Sequence, residues 1–584
     1  MSTVPASWAR RRTPLVAHAP FIVALLAGVA LRVVVLVAYR PALLFPDSFG
    51  YLGDAHDFEI TQTRPGGYSL FLKPITAVTD PLTAVSAFQH VLGLGLAVAV
   101  YVFLLRRRIP RWAATLATLP LLLDPLQLVL EHYVLSDLLF EVVLVVACLI
   151  LLWHRRPGHV AMVAVGFLAA GTGLVRGAGS AILLVFLAAV VCLRLPWHKI
   201  AVFLVGAAIP LVPYVMAFHA AYGSYAVSDA GPRFLYARIA PKVYCPGVQL
   251  PRYEKPLCPK QPLASRPSTD YFMWGRHRAP QWQVQPPPGL TQLQMVKDFD
   301  KRVIRAEPAA YAKAVLFDLA GGFAPTRTYE VPGYPASYWL FADHYWSMDR
   351  WLHSPTLGRQ PALQGTSVDP GAARFLTAYR HWLWTPGPLL GVLLVAAAGA
   401  VVGTGRTRRS GDRVAVGLLA GCCFVTIATG AAVSGFSWRY QLPQLPLLPA
   451  AGVLAVAALI RGRAPGSPPP AQPLRVLDRS ARGLTRLVPA AWRPALRRAA
   501  DRGTPQVAIA LVAGLLLGAV SALLLVRSGW VAHGPAWVGG LAVAAVVVVV
   551  LLVARARSRA DGTPSDRGSD SSGDRSPDVV LTRR

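Results

Sequence analysis

In the stretch Phe45-Pro-Asp-Ser-Phe-Gly-Tyr-Leu-Gly-Asp54, two acids and a tyrosine follow the first long apolar run. If the part after Pro46 is helical, Asp47, Tyr51 and Asp54 fall at i, i+4 and i+7 on one face. Carboxylates on one face near a membrane surface can act as a general base or, less often, as metal ligands. Downstream, Arg64-Pro-Gly-Gly-Tyr68 and Lys73 supply cations suited to a phosphate. A solvated exit loop would use the same residue types, so this stretch decides nothing by itself.

Other ionisable groups fall at the same level of the chain's apolar runs. Glu131-His132 and Ser136-Asp137 are crowded between two runs that leave almost no loop, Arg176 ends another run, and Arg439-Tyr440 opens a late one. Arg32 lies inside the first run, about 9 Å below its end at 1.5 Å per residue. A lone arginine there could snorkel to the headgroups. Acids and arginines drawn from several helices to one level instead form a site for an anionic lipid headgroup, because membrane-edge charges are costly to keep.

The elements that must hold these residues are membrane helices. Of 584 residues, 54% are hydrophobic and only 15% charged, whereas a soluble chain carries about a quarter charged. Apolar runs of about 18 or more residues recur, each long enough to span a bilayer. The expected fold is an all-α polytopic membrane protein with about twelve spans and a large mixed extracytoplasmic insert. The spans are drawn at 15–38, 82–105, 112–130, 134–153, 159–175, 178–194, 199–221, 386–404, 413–433, 441–460, 506–526 and 537–555. Arginine-rich turns such as Arg106-Arg107-Arg108 and Arg461-Gly-Arg463 fall on alternate connections. The positive-inside rule makes that side, and both termini, cytoplasmic.

The organisation that follows has an N-terminal membrane module, 1–221, carrying the first-loop region. An insert, 222–385, and the late core spans, 386–460, come next. A basic linker, 461–505, two accessory spans, 506–555, and a disordered tail, 556–584, complete it. In the insert, Gln292 to Leu319 reads as helical, interrupted at Pro308. The linker suits either an amphipathic helix on the inner leaflet or a solvated tether. The first run exceeds a signal core and ends in no clear cleavage site, so it reads as a retained anchor.

The formal net charge of +30 sits in turns and in the tail, without the aromatic-interleaved basic stripe a nucleic-acid groove needs. Anionic lipids and topology explain it, and no nucleic-acid partner is expected. Cys245 and Cys258, in one Pro-rich segment of the insert, favour a disulfide in an oxidising exterior over two unpaired thiols.

Taken in order, the residues resemble a family. Asp47-Ser-Phe-Gly-Tyr51 follows the first span, then come Arg64-Pro-Gly-Gly-Tyr68, Glu131 and Val175-Arg176-Gly177. After a large insert, Trp438-Arg439-Tyr440-Gln-Leu-Pro443 precedes a late span. Over roughly 15–460 the chain resembles the GT-C superfamily of polytopic glycosyltransferases, nearest the protein-mannosyltransferase and aminoarabinose-transferase type. The Ala, Arg, Gly and Pro content suits a high-GC bacterium such as an actinomycete.

The resemblance implies transfer of a sugar from a polyprenyl-phosphate donor to an extracytoplasmic glycan, lipid or protein acceptor, with inversion, in the cell membrane. Asp47 would be the general base. Arg64, Lys73, Arg176 and Arg439 would hold the donor phosphate. Tyr51, Asp54, Tyr68, Glu131, His132 and Tyr440 would orient substrate hydroxyls. Many relatives have two adjacent acids in the first loop, whereas Ser48 follows Asp47 here; subfamily and metal need stay open, and no cofactor or obligatory metal is expected. The competing readings are a secondary transporter or lipid flippase, whose sites lie near the midplane of repeated halves, and a non-catalytic envelope scaffold.

Overall fold

The computed structural model describes residues 16–461 except 58, 77–81, 155, 243–244, 329–334, 346–365 and 404–411. The chain is mostly helical, and the described strands are two residues long, Tyr39–Arg40 pairing antiparallel with Ser367–Val368. Among the described residues six helices are long and apolar enough to cross a membrane: Val16–Ala38, Thr83–Arg106, Ser136–Trp153, Trp197–Tyr222, Arg413–Val433 and Trp438–Leu459. Two bent pairs pass the same test only when each is taken together, giving up to eight. His159–Val175 and Gly177–Cys192 are shorter apolar helices. Six to eight of the twelve expected spans thus meet the length and hydropathy test among the described residues, and 506–526 and 537–555 lie outside those residues.

One bent pair, Arg111–Leu123 with Pro125–His132, turns by 46° where the sequence suggested a single span over 112–130. The cause is local. Pro125 has no N–H to donate and pushes Asp124 out of the helical region, to ψ 128°. Asp124 then caps the next helix, accepting from Leu126 N at 2.8 Å. Arg327 clamps the same carboxylate with two bonds of 2.7 and 2.9 Å, and Thr385 N adds a third at 2.8 Å. From the other side Arg32 donates to Leu121 O at 2.9 Å and Leu122 O at 3.0 Å, the carbonyls the break leaves open.

The first-loop stretch forms the helix Pro46–Asp57, and Gly67–Thr76 forms a second short helix beside it. Ser48 fixes the first of these, since its Oγ takes Phe45 N and donates to Val134 O at 2.8 Å. Aromatic residues of the segment 335–345 pack onto this region, with Trp339, Phe341 and Tyr345 in one buried cluster with Tyr39, Tyr51, Tyr68 and Tyr133. The expected helical stretch of the insert is two helices, Gln292–Ala306, opened by a Thr291–Gln294 capping box, and Pro308–Gly321. A second core cluster, with Tyr236, Phe272, Met295 and Phe299, holds this part, and Cys245 is joined to Cys258 by a disulfide.

Candidate functional site

Five charged side chains from five places in the sequence meet beside the helix Pro46–Asp57. Arg64 Nη2 lies 2.8 Å from Asp47 Oδ1, and Arg439 Nη1 lies 3.3 Å from Asp47 Oδ2. Arg439 also faces Asp137 Oδ1 at 3.7 Å, and Arg176 pairs with the same oxygen. Arg439 is thus shared by two carboxylates. Gly50, one turn after Asp47, makes room for this: a Cβ there would stand 2.8 Å from the Arg64 guanidinium.

Aromatic rings wall the cluster. Tyr440 lies under Arg176 at 4.9 Å and near Arg439 at 5.9 Å, while Trp339 and Phe45 flank Arg439 at 5.5 and 5.8 Å. Such contacts orient guanidinium groups without neutralising them. Tyr51 shares a 3.0 Å hydrogen bond with Ser136 Oγ, and its ring lies 5.9 Å from Arg64. Three polar atoms, Asp137 Oδ2, Trp339 Nε1 and Ser437 Oγ, are buried without a hydrogen-bond partner among the described residues. Groups left so cost free energy that a polar ligand would recover.

The electrostatics follow from this geometry. Burial by itself would raise the Asp47 carboxyl, but Arg439 and Arg64 outweigh it and hold it below the usual carboxylate range. Burial raises the Tyr51 hydroxyl, and Asp47 adds to that. Asp54, on the next turn, is pushed up by burial against the pull of Thr61 and Arg64; it accepts from Thr61 Oγ1 at 3.3 Å.

The structure brings together Asp47, Tyr51, Arg64, Arg176, Arg439 and Tyr440, and sets Asp54 at the edge. Tyr68 is one ring further in, 4.9 Å from Tyr51, with its hydroxyl on Gln89 Oε1 at 2.8 Å. Lys73 is on the helix Gly67–Thr76.

Glu131 and His132 are placed differently from the expected hydroxyl-orienting role. Both are fully buried. Glu131 binds Arg32 through both oxygens, at 2.6 and 2.7 Å, and takes His90 Nδ1 at 2.7 Å. His132 Nε2 contacts Tyr39 O at 2.5 Å, and its Nδ1 lies 3.2 Å from His90 Nε2. Gln127 Nε2 links Glu131 to Glu141 at 3.1 and 2.9 Å. This network is possible because residue 93 is glycine; a Cβ there would stand 1.9 Å from the Glu131 carboxylate. Glu131 is thus paired with Arg32 inside the protein, both side chains fully buried.

The sequence groups Ser136-Asp137 with these charges but gives Asp137 no role of its own. Sequence reasoning missed Trp274, 5.8 Å from Arg64, and Trp339, which nothing distinguishes among fifteen tryptophans in the sequence. Among the described residues no group of three or more His, Cys, Asp or Glu side chains is placed to hold a metal ion. Comparison with known proteins finds no matching family model, no matching curated protein and no matching solved structure.

Proposed function

We propose that the chain is an integral-membrane glycosyltransferase that moves a sugar from a polyprenyl-phosphate donor to an extracytoplasmic acceptor, with inversion. In this reading the chain has about twelve spans, both termini are cytoplasmic, and the arginine–carboxylate cluster faces outward. The observation that carries the reading is Asp47 held between Arg64 and Arg439, with Asp137 and Arg176 completing one cluster.

The charges support the chemistry. Three guanidinium groups against two carboxylates leave one positive charge in excess, a match for a monoanionic phosphodiester. The acceptor oxygen attacks the anomeric carbon, and the sugar–phosphate C–O bond breaks with its electron pair going to the phosphate. The acceptor's proton passes to Asp47. The leaving phosphate then carries two negative charges, while the protein cluster, with Asp47 neutral, carries two positive ones. Preorganised cations of this kind stabilise charge that develops during the step. A donor phosphate that engages Arg64 and Arg439 also loosens their hold on Asp47, so the carboxylate gains basicity when the donor is bound.

One observation favours a second reading, a secondary transporter or lipid flippase. The buried Arg32–Glu131–His90–His132 chain lies beside a broken helix, an arrangement that transporters use for coupling ions. Membranes carrying the wild type or Asp47→Asn, supplied with radiolabelled polyprenyl-phosphate sugar, separate the two. Transfer that vanishes in Asp47→Asn supports the enzyme; transfer untouched by the substitution sinks the base assignment. Solute movement without transfer favours the second reading.

A further inference from the structure

Beyond Arg64 the aromatic lining continues into the insert. The ring of Trp274 stands 5.8 Å from the Arg64 guanidinium and is 41% exposed. Phe234 meets Trp274 edge-on at 5.8 Å. Next to Phe234 in the chain, Arg233 stacks on Trp282 at 3.9 Å, and Arg276 approaches the same indole at 5.5 Å. Trp282 is fixed by its Nε1–H donating to Met273 O at 2.8 Å.

This pair of arginines lacks what such a pair normally has. Arg233 is only 7% exposed, and its Nη1 has no hydrogen-bond partner, while Nη2 reaches Gln292 Oε1 at a long 3.4 Å. Neither Arg233 nor Arg276 forms an ion pair among the described residues. The acid that attracts Arg233, Asp229, is held by Ser224 at 2.8 Å and Gln62 at 3.2 Å. A buried guanidinium with an idle donor, beside a second cation on one indole, is costly unless an anion completes it. Exposed tryptophan faces, in turn, suit the C–H faces of sugar rings.

We infer that Arg233, Arg276 and Trp282, continued by Trp274, form a binding site for a saccharide bearing an anionic group, which the chain uses as its acceptor. The acceptor role rests on the transferase reading; the binding itself does not. Trp274 takes a sugar ring adjoining Arg64 and Asp47, and the two arginines take a carboxylate or phosphate one or more units away.

The purified full chain, in lipid nanodiscs, is titrated by tryptophan fluorescence with trigalacturonate, with its carboxyl-reduced neutral trisaccharide, and with inorganic phosphate. Trigalacturonate is expected to bind at least about tenfold more tightly than either of the others, since its carboxylates add charge-assisted contacts to the two arginines. Arg233→Gln and Arg276→Gln each remove most of that preference, and Trp274→Ala weakens both saccharides. Binding of polyprenyl phosphate stays unchanged in the two arginine variants. Arg276 is exposed, so its variant keeps the test valid should Arg233→Gln fail to fold. Equal binding of the neutral trisaccharide, equal binding of phosphate alone, or a preference that survives Arg276→Gln overturns the inference. A chain that binds trigalacturonate in this pattern but transfers no sugar overturns the transferase reading and leaves the site standing.

Discussion

Glu131 and Asp47 are both acids paired with arginine, and the structure sets opposite consequences for neutralising each. Glu131→Gln keeps the shape but removes the charge that balances Arg32, with both side chains fully buried. Breaking a buried pair from one side costs about 3–5 kcal/mol, because the remaining charge is left uncompensated. The amide keeps one acceptor oxygen for Arg32, which still has Gly28 O, Leu121 O and Leu122 O; the expected loss is therefore at the lower end, about 3 kcal/mol. Unfolding in detergent micelles measures it, and turnover per folded molecule stays near wild type. Asp47→Asn reverses the pattern. Its carboxylate is 15% exposed and Arg439 keeps Asp137, so the stability loss is smaller than that of Glu131→Gln, while loss of a general base lowers transfer by about 10²–10⁴-fold. The double variant Arg32→Met/Glu131→Met removes both charges and recovers part of the single variant's loss. The reasoning is refuted if Glu131→Gln costs under about 1 kcal/mol, or if it depresses per-molecule turnover as steeply as Asp47→Asn.

Other expectations follow from neighbouring contacts. Asp47 has a lowered folded-state pKa, so its pairing stabilises the protein above the unfolded value of about 3.9 and is lost as pH falls through the lower folded value. In Arg64→Gln one of the two opposing cations is gone, and the acid limb of thermal stability moves to higher pH; an unmoved limb would show that Arg64 does not set it. Cys245→Ser opens a loop with a sequence separation of 13, and should destabilise the insert by about 3 kcal/mol, read as faster proteolysis there than in the untreated wild type. Arg327→Met leaves the buried Asp124 carboxylate with only backbone donors from Leu126 and Thr385, a loss of about 3–5 kcal/mol by chemical unfolding. Wild-type stability in that variant would mean the clamp contributes nothing.

How much could be read in advance depended on the range of the interactions. Asp47, Tyr51 and Asp54 on one helical face followed from Pro46 and local spacing, and the helix Pro46–Asp57 carries them so. The two insert helices parted at Pro308 for the same local reason. Arg439 joining Asp47 spans 392 residues, and only the shared level of the apolar runs hinted at it. Glu131 and Arg32 were both visible as membrane-edge charges, yet nothing local indicates that they pair with each other, 99 residues apart, through space that Gly93 leaves open. Asp124 was passed over because a span drawn by hydropathy averages across a proline, and the break depends on an acceptor for Arg327.

The clamp on Asp124 also has a history within each molecule's synthesis. Its partner Arg327 lies 203 residues later in the chain. At about 5–20 residues per second, roughly 10–40 s pass between the emergence of the two. During that interval the kinked segment carries an acid whose guanidinium does not yet exist. Arg32, made earlier, already covers the carbonyls on the other side of the kink. The Asp124 clamp therefore closes only once residue 327 has been made. A truncated chain ending before residue 327 would lack the clamp.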